Sequence, residues 1–260
     1  MTHPNIIKII CHDIGKHLGC YGVKSVSTKA IDALAKNGIL FENSYATSPG
    51  CSPSRAAIAT GMYPHNNGVL GLAHAHFGWS LDEKVHHIAK YFLKNAYNSI
   101  LFGLQHVTYN EKSLGFKKIF PERPADAVVK NIKENIDSNL FKKPFYAEIN
   151  FFEPHRPFDF GGVKPFKSKG ISVPKYIPNN HDIRKEFASM QGAIKKMDDS
   201  VAKIINILKR KNLYENTIIL FTTDHGIPFP RAKGTLYDAG IETSLIISYP
   251  KLKIKNKKFK

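Results

Sequence analysis

The sequence predicts an α/β fold, built on a mostly parallel sheet with helices on both of its faces. Short apolar runs alternate along the chain with longer amphipathic stretches. That alternation is typical of parallel sheets, because each crossover between parallel strands usually passes through a helix. The 260 residues suffice for one large core. We expect one domain over residues 1–250 and a basic tail over residues 251–260.

Five apolar runs are predicted as strands. Each is short and predominantly hydrophobic, as strands buried on both faces are. In chain order they are Asn5–Cys11, Ser99–Gly103, Phe145–Phe152, Thr217–Thr222 and Ile241–Ser248. Residues 159–181 between the third and fourth runs are rich in Gly, Pro and Lys, and we expect a long surface loop there.

Four amphipathic stretches are predicted as helices. They are Thr28–Asn37, Leu81–Leu93, Ala125–Ile136 and a long one from about Arg184 to Lys211. In the long stretch, apolar residues recur at steps of three and four from Phe187 to Leu208, which gives one continuous stripe. A coiled coil would show similar spacing, but we favour a helix that covers one face of the sheet.

Composition and charge limit the class of protein. No apolar run is long enough to cross a bilayer, and the N-terminus lacks the features of a secretory signal, so the chain as it stands is expected to be cytoplasmic. The net charge of +17 comes mainly from lysines spread along the chain, which argues against a nucleic-acid partner. A basic surface would still attract polyanionic substrates. The lysine-rich tail is expected to be solvated and frayed.

Reactive side chains follow the predicted strands at their carboxyl ends, where open α/β sheets place their sites. These residues are, in chain order, Asp13, His106, His155, Asp224 and His225. Aspartate oxygens suit Ca²⁺ or Mg²⁺, and a histidine nitrogen widens the choice to Mn²⁺ or Zn²⁺. Each residue alone is more often a helix cap or a hydrogen-bonded polar group. Taken together with Cys51, they predict a divalent metal site.

The segment from Cys51 to Gly61 places a thiol, a helix start and a guanidinium within a few residues. Pro53 suits the first turn of a helix, where its missing N–H costs nothing. Such a helix would direct free N–H groups at an anion near Cys51, and Arg55 adds a fork of donors. The segment therefore suits an anionic, tetrahedral group, although a buried cysteine at an ordinary helix start would have the same pattern.

The pattern C-x-P-S-R-x(5)-T-G, which begins at Cys51, resembles the signature of the type I sulfatases, a family with the alkaline-phosphatase-like fold. Four further blocks are similar to that family's and follow its order along the chain. They are His12-Asp13-Ile14-Gly15, the segment ending at His106, the run from Phe151 to Phe158, and Asp224-His225-Gly226 with Lys233-Gly234-Thr235. The opening block looks most like bacterial relatives of the heparan N-sulfatases.

This resemblance implies a metal and a modified residue. In the family the cysteine, here Cys51, is converted to formylglycine, whose hydrated form attacks sulfur beside the metal. The resemblance implies that Asp13, Asp224 and His225, together with residue 51, hold the cation. Ca²⁺ is the expected ion, with Mg²⁺, Mn²⁺ or Zn²⁺ as alternatives.

The resemblance also implies roles for four further residues. Arg55 would steady the hydrated aldehyde, and Lys233 would hold a sulfate oxygen. His155 would protonate the leaving oxygen or nitrogen, and His106 would help to expel sulfate from the covalent intermediate.

Three departures from the family pattern stand out. His12 occupies the position of the first of two adjacent aspartates, and we treat it as a doubtful ligand. Leu104 occupies the position of a lysine that would contact sulfate. The chain ends soon after Tyr249, where sulfatases usually continue, so the C-terminal subdomain is expected to be absent.

The sequence thus predicts a hydrolase of sulfate esters or sulfamates, acting on a sulfated small molecule or glycan and matured by an enzyme that installs formylglycine. One alternative is a phosphonate or phosphodiester hydrolase on the same scaffold. Another is a truncated, non-catalytic binder of sulfated glycans. The sequence does not indicate an oligomeric state.

Overall fold

The computed structural model describes residues 3–74, 76, 78–166 and 170–260. Eight strands in this part of the chain form one sheet: β1 (Asn5–Cys11), β2 (Ile39–Phe41), β3 (Asn98–Gly103), β4 (Lys118–Phe120), β5 (Phe145–Asn150), β6 (Thr217–Thr223), β7 (Leu245–Ser248) and β8 (Lys257–Phe259). Their order across the sheet is β4-β3-β5-β1-β6-β7-β2-β8. The described pairings are parallel except those that β7 makes with β6 and with β2, so the sheet is mostly parallel, as predicted.

The same residues form seven α-helices: α1 (Lys29–Lys36), α2 (Cys51–Thr60), α3 (Pro64–Asn67), α4 (Ile88–Lys94), α5 (Ala125–Asn135), α6 (His181–Arg210) and α7 (Asp238–Ile241). No helix in the described part of the chain combines the length and the apolar character that a membrane span requires.

Helices lie on both faces of the sheet, as the sequence predicts. Neighbouring residues of a strand point to opposite faces. In β5, Phe145 belongs to the main hydrophobic core together with the apolar stripe of α6. The ring of Tyr146, the next residue, stacks on Phe92 of α4, with ring centroids 4.5 Å apart. Thus α6 and α4 cover opposite faces.

The predicted elements and the observed ones differ at several boundaries. The first four predicted strands are confirmed to within two residues at each end, but the fifth begins at Leu245, because residues 238–241 form the short helix α7. The helix predicted from Leu81 begins only at Ile88, where His87 caps it by accepting a hydrogen bond from Ala89 N–H. Residues 167–169 of the predicted surface loop lie outside the described residues.

The basic tail is not wholly frayed, which corrects the sequence-based expectation. Lys257, Lys258 and Phe259 form β8, which pairs in parallel with β2 at the edge of the sheet. All three residues are exposed. Phe259 stacks on Phe41 of β2, with ring centroids 5.8 Å apart. The expectation of a frayed tail was based on its lysines alone and did not include this aromatic contact.

Candidate active site

The carboxyl ends of β1 and β6 bring two aspartates into contact. These strands pair in register up to Cys11 and Thr223, so the chain leaves the sheet at the same level in both. Asp13 N–H donates to Asp224 Oδ1 over 3.0 Å, and both side chains are fully buried. Gly226, just beyond, has no room for a side chain, because a Cβ there would lie 1.8 Å from the Ala239 carbonyl oxygen. The two carboxylates therefore meet at one rim of the sheet.

Cys51 is the first residue of α2, and its thiol faces this pair of aspartates. Its Sγ lies 3.3 Å from Nε2 of His225, and His225 Nε2 lies 3.2 Å from Asp13 Oδ1. The hydroxyl of Ser54 donates to the Asp224 carbonyl, which ties the start of α2 to the end of β6. Burial, reinforced by the charges of Asp224 and Asp13, raises the pKa of the Cys51 thiol to about 12. The unmodified side chain is therefore a neutral thiol rather than a nucleophile.

Two cations pair with the two carboxylates. Arg55 Nε donates to Asp224 Oδ2 over 3.1 Å, and Lys233 Nζ donates to both carboxylate oxygens of Asp13 over 3.0 and 3.1 Å. Burial opposes the ionisation of Asp224, but His225, His12 and Arg55 together hold its pKa well below the usual range. The two terminal nitrogens of Arg55 are buried without a hydrogen-bond partner. A guanidinium carries five donor hydrogens, so these two nitrogens are suited to bind a further anionic group.

A cavity of about 1000 Å³ opens above these residues, and Cys51 and Lys233 line it. His106 and His155 line the same cavity. His106 adopts a positive φ of 61°, and its Nδ1 is buried without a partner. Burial, followed by the charge of Arg55, lowers the pKa of His106 to about 3, so this imidazole is neutral near pH 7. The ring of His155 lies edge-on to that of His12, 5.2 Å away between centroids.

The donor set fits a divalent cation. His12, Asp13, Cys51 and Asp224 each offer one ligand atom, and these atoms lie within 4.8 Å of one another. All four side chains are buried. Neither ring nitrogen of His12 makes a hydrogen bond of good geometry, although Nδ1 lies 2.9 Å from Asp224 Oδ2. Buried carboxylates grouped in this way require positive charge nearby, and the buried imidazole of His12 offers a further ligand for a cation.

The structure gathers the candidate residues that the sequence singles out. Direct contacts link Asp13, Cys51, Arg55, Asp224, His225 and Lys233, while His106 and His155 line the cavity above them. The cluster of possible ligands also contains His12, which the sequence leaves doubtful. His225, a predicted ligand, contacts the same three residues: its Nε2 lies 3.2 Å from Asp13 Oδ1, 3.3 Å from Cys51 Sγ and 3.6 Å from Asp224 Oδ1. The roles of these residues remain predictions.

Sequence reasoning missed several residues that line the cavity. Leu104 lies there, as expected from its place in the motif, but so do Lys112 and Arg123, which belong to none of the motifs. Both cations are exposed, and they lie at opposite ends of the segment that contains β4. Arg123 lies three residues after β4, but β4 was not among the predicted strands, so no strand end in the sequence pointed to this residue.

Comparison with known proteins identifies relatives over nearly the whole chain. The family model described as Sulfatase matches residues 4–258. An ulvan-active sulfatase of Formosa agariphila is 28% identical over 95% of this chain and 48% of its own length. The human N-sulphoglucosamine sulphohydrolase is 24% identical over 95% of this chain and 55% of its own length. The chain thus spans about half the length of these curated relatives.

Solved structures share the fold. The crystal structure of Ps i-CgsB in complex with k-i-k-neocarrahexaose aligns with a TM-score of 0.79 at 23% identity, covering 99% of this chain and 68% of its own. The phosphonate monoester hydrolase of Agrobacterium radiobacter aligns with a TM-score of 0.78 at 19% identity, covering 99% of this chain and 70% of its own. These likenesses confirm the predicted alkaline-phosphatase-like architecture. Because the family model spans almost every residue described here, the chain belongs to the sulfatase family.

Proposed function

We propose that this protein hydrolyses a sulfate ester or a sulfamate on a sulfated glycan or a sulfated small molecule. One observation carries the proposal: Cys51 lies at the base of a cavity of about 1000 Å³, held against His225, with Lys233 also lining the cavity. Membership of the sulfatase family supports the same reaction. Sulfated substrates are anionic, which suits a cavity lined by the cations Lys112, Arg123 and Lys233.

Two groups that the family implies fit this arrangement. A maturation enzyme would convert Cys51 to formylglycine, and the hydrated form of this residue would supply the nucleophile. Asp13, Asp224, residue 51 and His225 would hold a divalent cation, with Ca²⁺ expected. This cation would polarise the sulfuryl oxygens. The terminal nitrogens of Arg55, which are buried without a partner, suit the hydrated aldehyde or a sulfuryl oxygen.

Lys233 contributes charge to substrate binding. Its ammonium lies between Asp13 and the cavity; burial alone would lower its pKa, but the Asp13 carboxylate that it contacts raises it. The side chain is therefore fully protonated near neutral pH. A protonated ammonium at the cavity wall binds a sulfuryl oxygen and orients the sulfur toward residue 51.

Two histidines carry the proton transfers. The Arg156 carbonyl oxygen accepts a hydrogen bond from His155 Nδ1, so the proton that His155 gives to the leaving oxygen or nitrogen comes from Nε2 of its charged form. His106 is neutral, and its Nδ1 has no partner. It can therefore accept a proton from a hydroxyl of residue 51 when sulfate is expelled.

The proposed function is tested with full-length protein whose residue-51 peptide has been shown by mass spectrometry to carry the aldehyde. We expect turnover of an aryl sulfate or of N-sulfoglucosamine, and Cys51→Ala should abolish it while the far-UV circular dichroism stays unchanged. Turnover equal to wild type in Cys51→Ala would contradict the nucleophile assignment. Binding of sulfated glycan without any turnover would favour the non-catalytic alternative.

A phosphonate or phosphodiester hydrolase is the second candidate. Two observations favour it: the structural likeness to a phosphonate monoester hydrolase, and the replacement of expected residues by His12 and Leu104, which removes one acid and one cation. In favour of the sulfatase reaction, the exposed cations Lys112 and Arg123 line the cavity and would take the place of the missing lysine in binding sulfate. Paired assays with an aryl sulfate and an aryl phosphonate monoester decide between the two, because the preferred ester class gives the larger kcat/KM.

A further inference from the structure

We propose that a second cavity, beside the candidate active site, binds a sugar ring of a glycan. Its volume is about 670 Å³, within the range of roughly 300–1000 Å³ that small-molecule sites occupy. Among the described residues, it shares no lining residue with the active-site cavity. The inference rests on the proposed function only in taking a glycan as the ligand.

The second cavity lies next to the active-site cavity, because the same two segments of chain border both. Beyond β1, His12 lines the active-site cavity and Ile14 lines the second cavity. Beyond β6, Lys233 lines the active-site cavity and Arg231 lines the second cavity. Two residues of extended chain span at most about 7 Å. An oligosaccharide of several sugars is therefore long enough to reach both cavities.

The wall of the second cavity contains a buried imidazole that lacks a partner. His17 is only 7% exposed, and its Nε2 is buried and makes no hydrogen bond with any described residue. Burial lowers the pKa of His17 to about 4, so near pH 7 the ring is neutral and Nε2 either donates or accepts. A buried polar atom without a partner costs free energy, and a hydroxyl of a bound ligand would satisfy it.

Four further polar groups at the second cavity are also unpaired within the part of the chain that the structure describes. They are the guanidinium of Arg231, the carboxylate of Asp238 and the hydroxyls of Tyr176 and Tyr237. Tyr176 is half-buried, and the other three side chains are exposed. Donors and acceptors thus surround one cavity without bonding to each other.

This mixture of groups favours a sugar over a simple anion or an apolar ligand. Lys16 is already paired with Glu242 over 2.9 Å, which leaves Arg231 as the available cation among several acceptors. Sugar hydroxyls both donate and accept, so they match guanidinium, carboxylate, phenol and neutral imidazole together. The tyrosine rings provide apolar faces on which the C–H groups of a sugar pack. A sulfate or carboxylate on that sugar would bind Arg231.

The first test measures binding by isothermal titration calorimetry on the full chain, with residue 51 verified by mass spectrometry as a thiol so that no turnover occurs. The probes are sulfated hexasaccharides of carrageenan and of heparan sulfate. We expect Tyr176→Ala and Arg231→Ala each to weaken binding by about tenfold. Tyr91→Ala and Arg210→Ala are the controls and should keep the affinity, because they change an exposed tyrosine and an exposed arginine away from both cavities.

Two further measurements make this test decisive. Circular dichroism checks the fold of each variant, and because Arg231 is exposed, its variant tests the cavity even if Tyr176→Ala does not fold. Lys112→Ala reports on the active-site cavity. A loss of affinity in Lys112→Ala, with none in Tyr176→Ala and Arg231→Ala, would confine the glycan to the active-site cavity and overturn the proposal. Failure of the wild type to bind either hexasaccharide would overturn it as well.

A kinetic test separates this inference from the proposed function. Protein that carries the aldehyde at residue 51 is assayed with an aryl sulfate, which is large enough to fill only the active-site cavity. Tyr176→Ala and Arg231→Ala should leave kcat and KM for this ester unchanged and raise the KM for the hexasaccharide about tenfold. Equal effects on both substrates would contradict a second cavity. If no sulfate is released at all, the proposed function is wrong, while calorimetry still decides whether the second cavity binds a sugar.

Discussion

Asp13 and His106 have backbone conformations that side chains of L-residues seldom adopt. Their φ angles are 54° and 61°, in the left-handed region. A non-glycine residue there costs on the order of 1 kcal/mol or more, and such residues cluster at functional sites. Asp13 lies two residues beyond β1, and His106 lies three residues beyond β3 and lines the cavity. The strain is thus located where the chain turns away from the sheet beside the candidate site.

The buried pair of Arg55 and Asp224 should matter more to stability than any exposed pair. Removing one partner of a buried pair leaves an unpaired charge and costs about 3–5 kcal/mol. We therefore expect Arg55→Met to lower the free energy of unfolding by that amount in urea denaturation. Lys195→Met is the control, since Lys195 and Asp199 form an i,i+4 pair on the surface of α6 and should cost below about 1 kcal/mol. Equal losses in the two variants would contradict the argument.

The sequence allows most of the site to be predicted, because each candidate residue belongs to a short local motif. Partnerships between distant segments could not be predicted in the same way. Arg55 and Asp224 are 169 residues apart, and only the folded sheet shows that they pair. His12 is a doubtful ligand from the sequence, because it takes the place of an aspartate in the family pattern; only the structure shows that its ring is buried beside Asp224.

At the scale of elements, side chains from distant parts of the chain complete the helix ends. Asp198 of α6 accepts hydrogen bonds from the backbone N–H groups of Ala30 and Ile31, over 3.0 and 2.9 Å, and so caps the N-terminus of α1. Burial raises the pKa of Asp198 to about 6. The long helix was predicted from its apolar stripe, but this capping contact was not, because Asp198 is a polar interruption within that stripe. The carboxylate fixes the position of α1 against α6.

His87 should make the stability of the fold depend on pH through α4. Its Nδ1 accepts a hydrogen bond from Ala89 N–H over 3.1 Å, and burial lowers its pKa from 6.5 to about 4, despite the nearby Glu148. Between these two values the unfolded chain binds more protons than the folded one. The contribution of His87 is therefore complete above pH 6.5 and is lost as the pH falls toward 4.

The variant His87→Asn tests this contribution, because asparagine can also cap a helix but does not titrate. Between pH 7.5 and 4.5 the wild type should lose about 2.5 kcal/mol more of its free energy of unfolding than the variant does, following 1.36 kcal/mol per pKa unit. Urea denaturation at both pH values gives the comparison, and titrating groups that do not contact His87 contribute equally to both chains. The same pH dependence in both proteins would exclude His87 as the source.

At the scale of the whole molecule, the class of fold was predictable and the arrangement of its strands was not. Alternation of strands and helices predicts a parallel sheet, and five of the seven described pairings are parallel. Periodicity carries no information on which strands are neighbours, so the central place of β1 between β5 and β6 came only from the structure. The strands β2, β4 and β8 have three residues each, which is too short for a recognisable pattern.

The charge of the whole chain should make its stability rise with ionic strength. A net charge of +17 repels itself in the compact state, and the Debye length shortens from about 30 Å at 10 mM salt to about 8 Å at 150 mM. We expect the free energy of unfolding at pH 8 to increase by on the order of 1 kcal/mol between those concentrations of NaCl. Urea is the denaturant, because it leaves the ionic strength unchanged, and KCl should give the same result as NaCl.

The tail offers a matched control for this effect. Replacing the six lysines of residues 251–260 by glutamine lowers the net charge from +17 to +11 while keeping every backbone group that β8 needs. This variant should gain less stability from salt than the wild type, because self-repulsion grows faster than linearly with net charge. Salt also weakens surface ion pairs such as Lys196–Asp126, because it screens their attraction. If the wild type lost stability as salt was added, these pairs would outweigh the self-repulsion, and the prediction would be wrong.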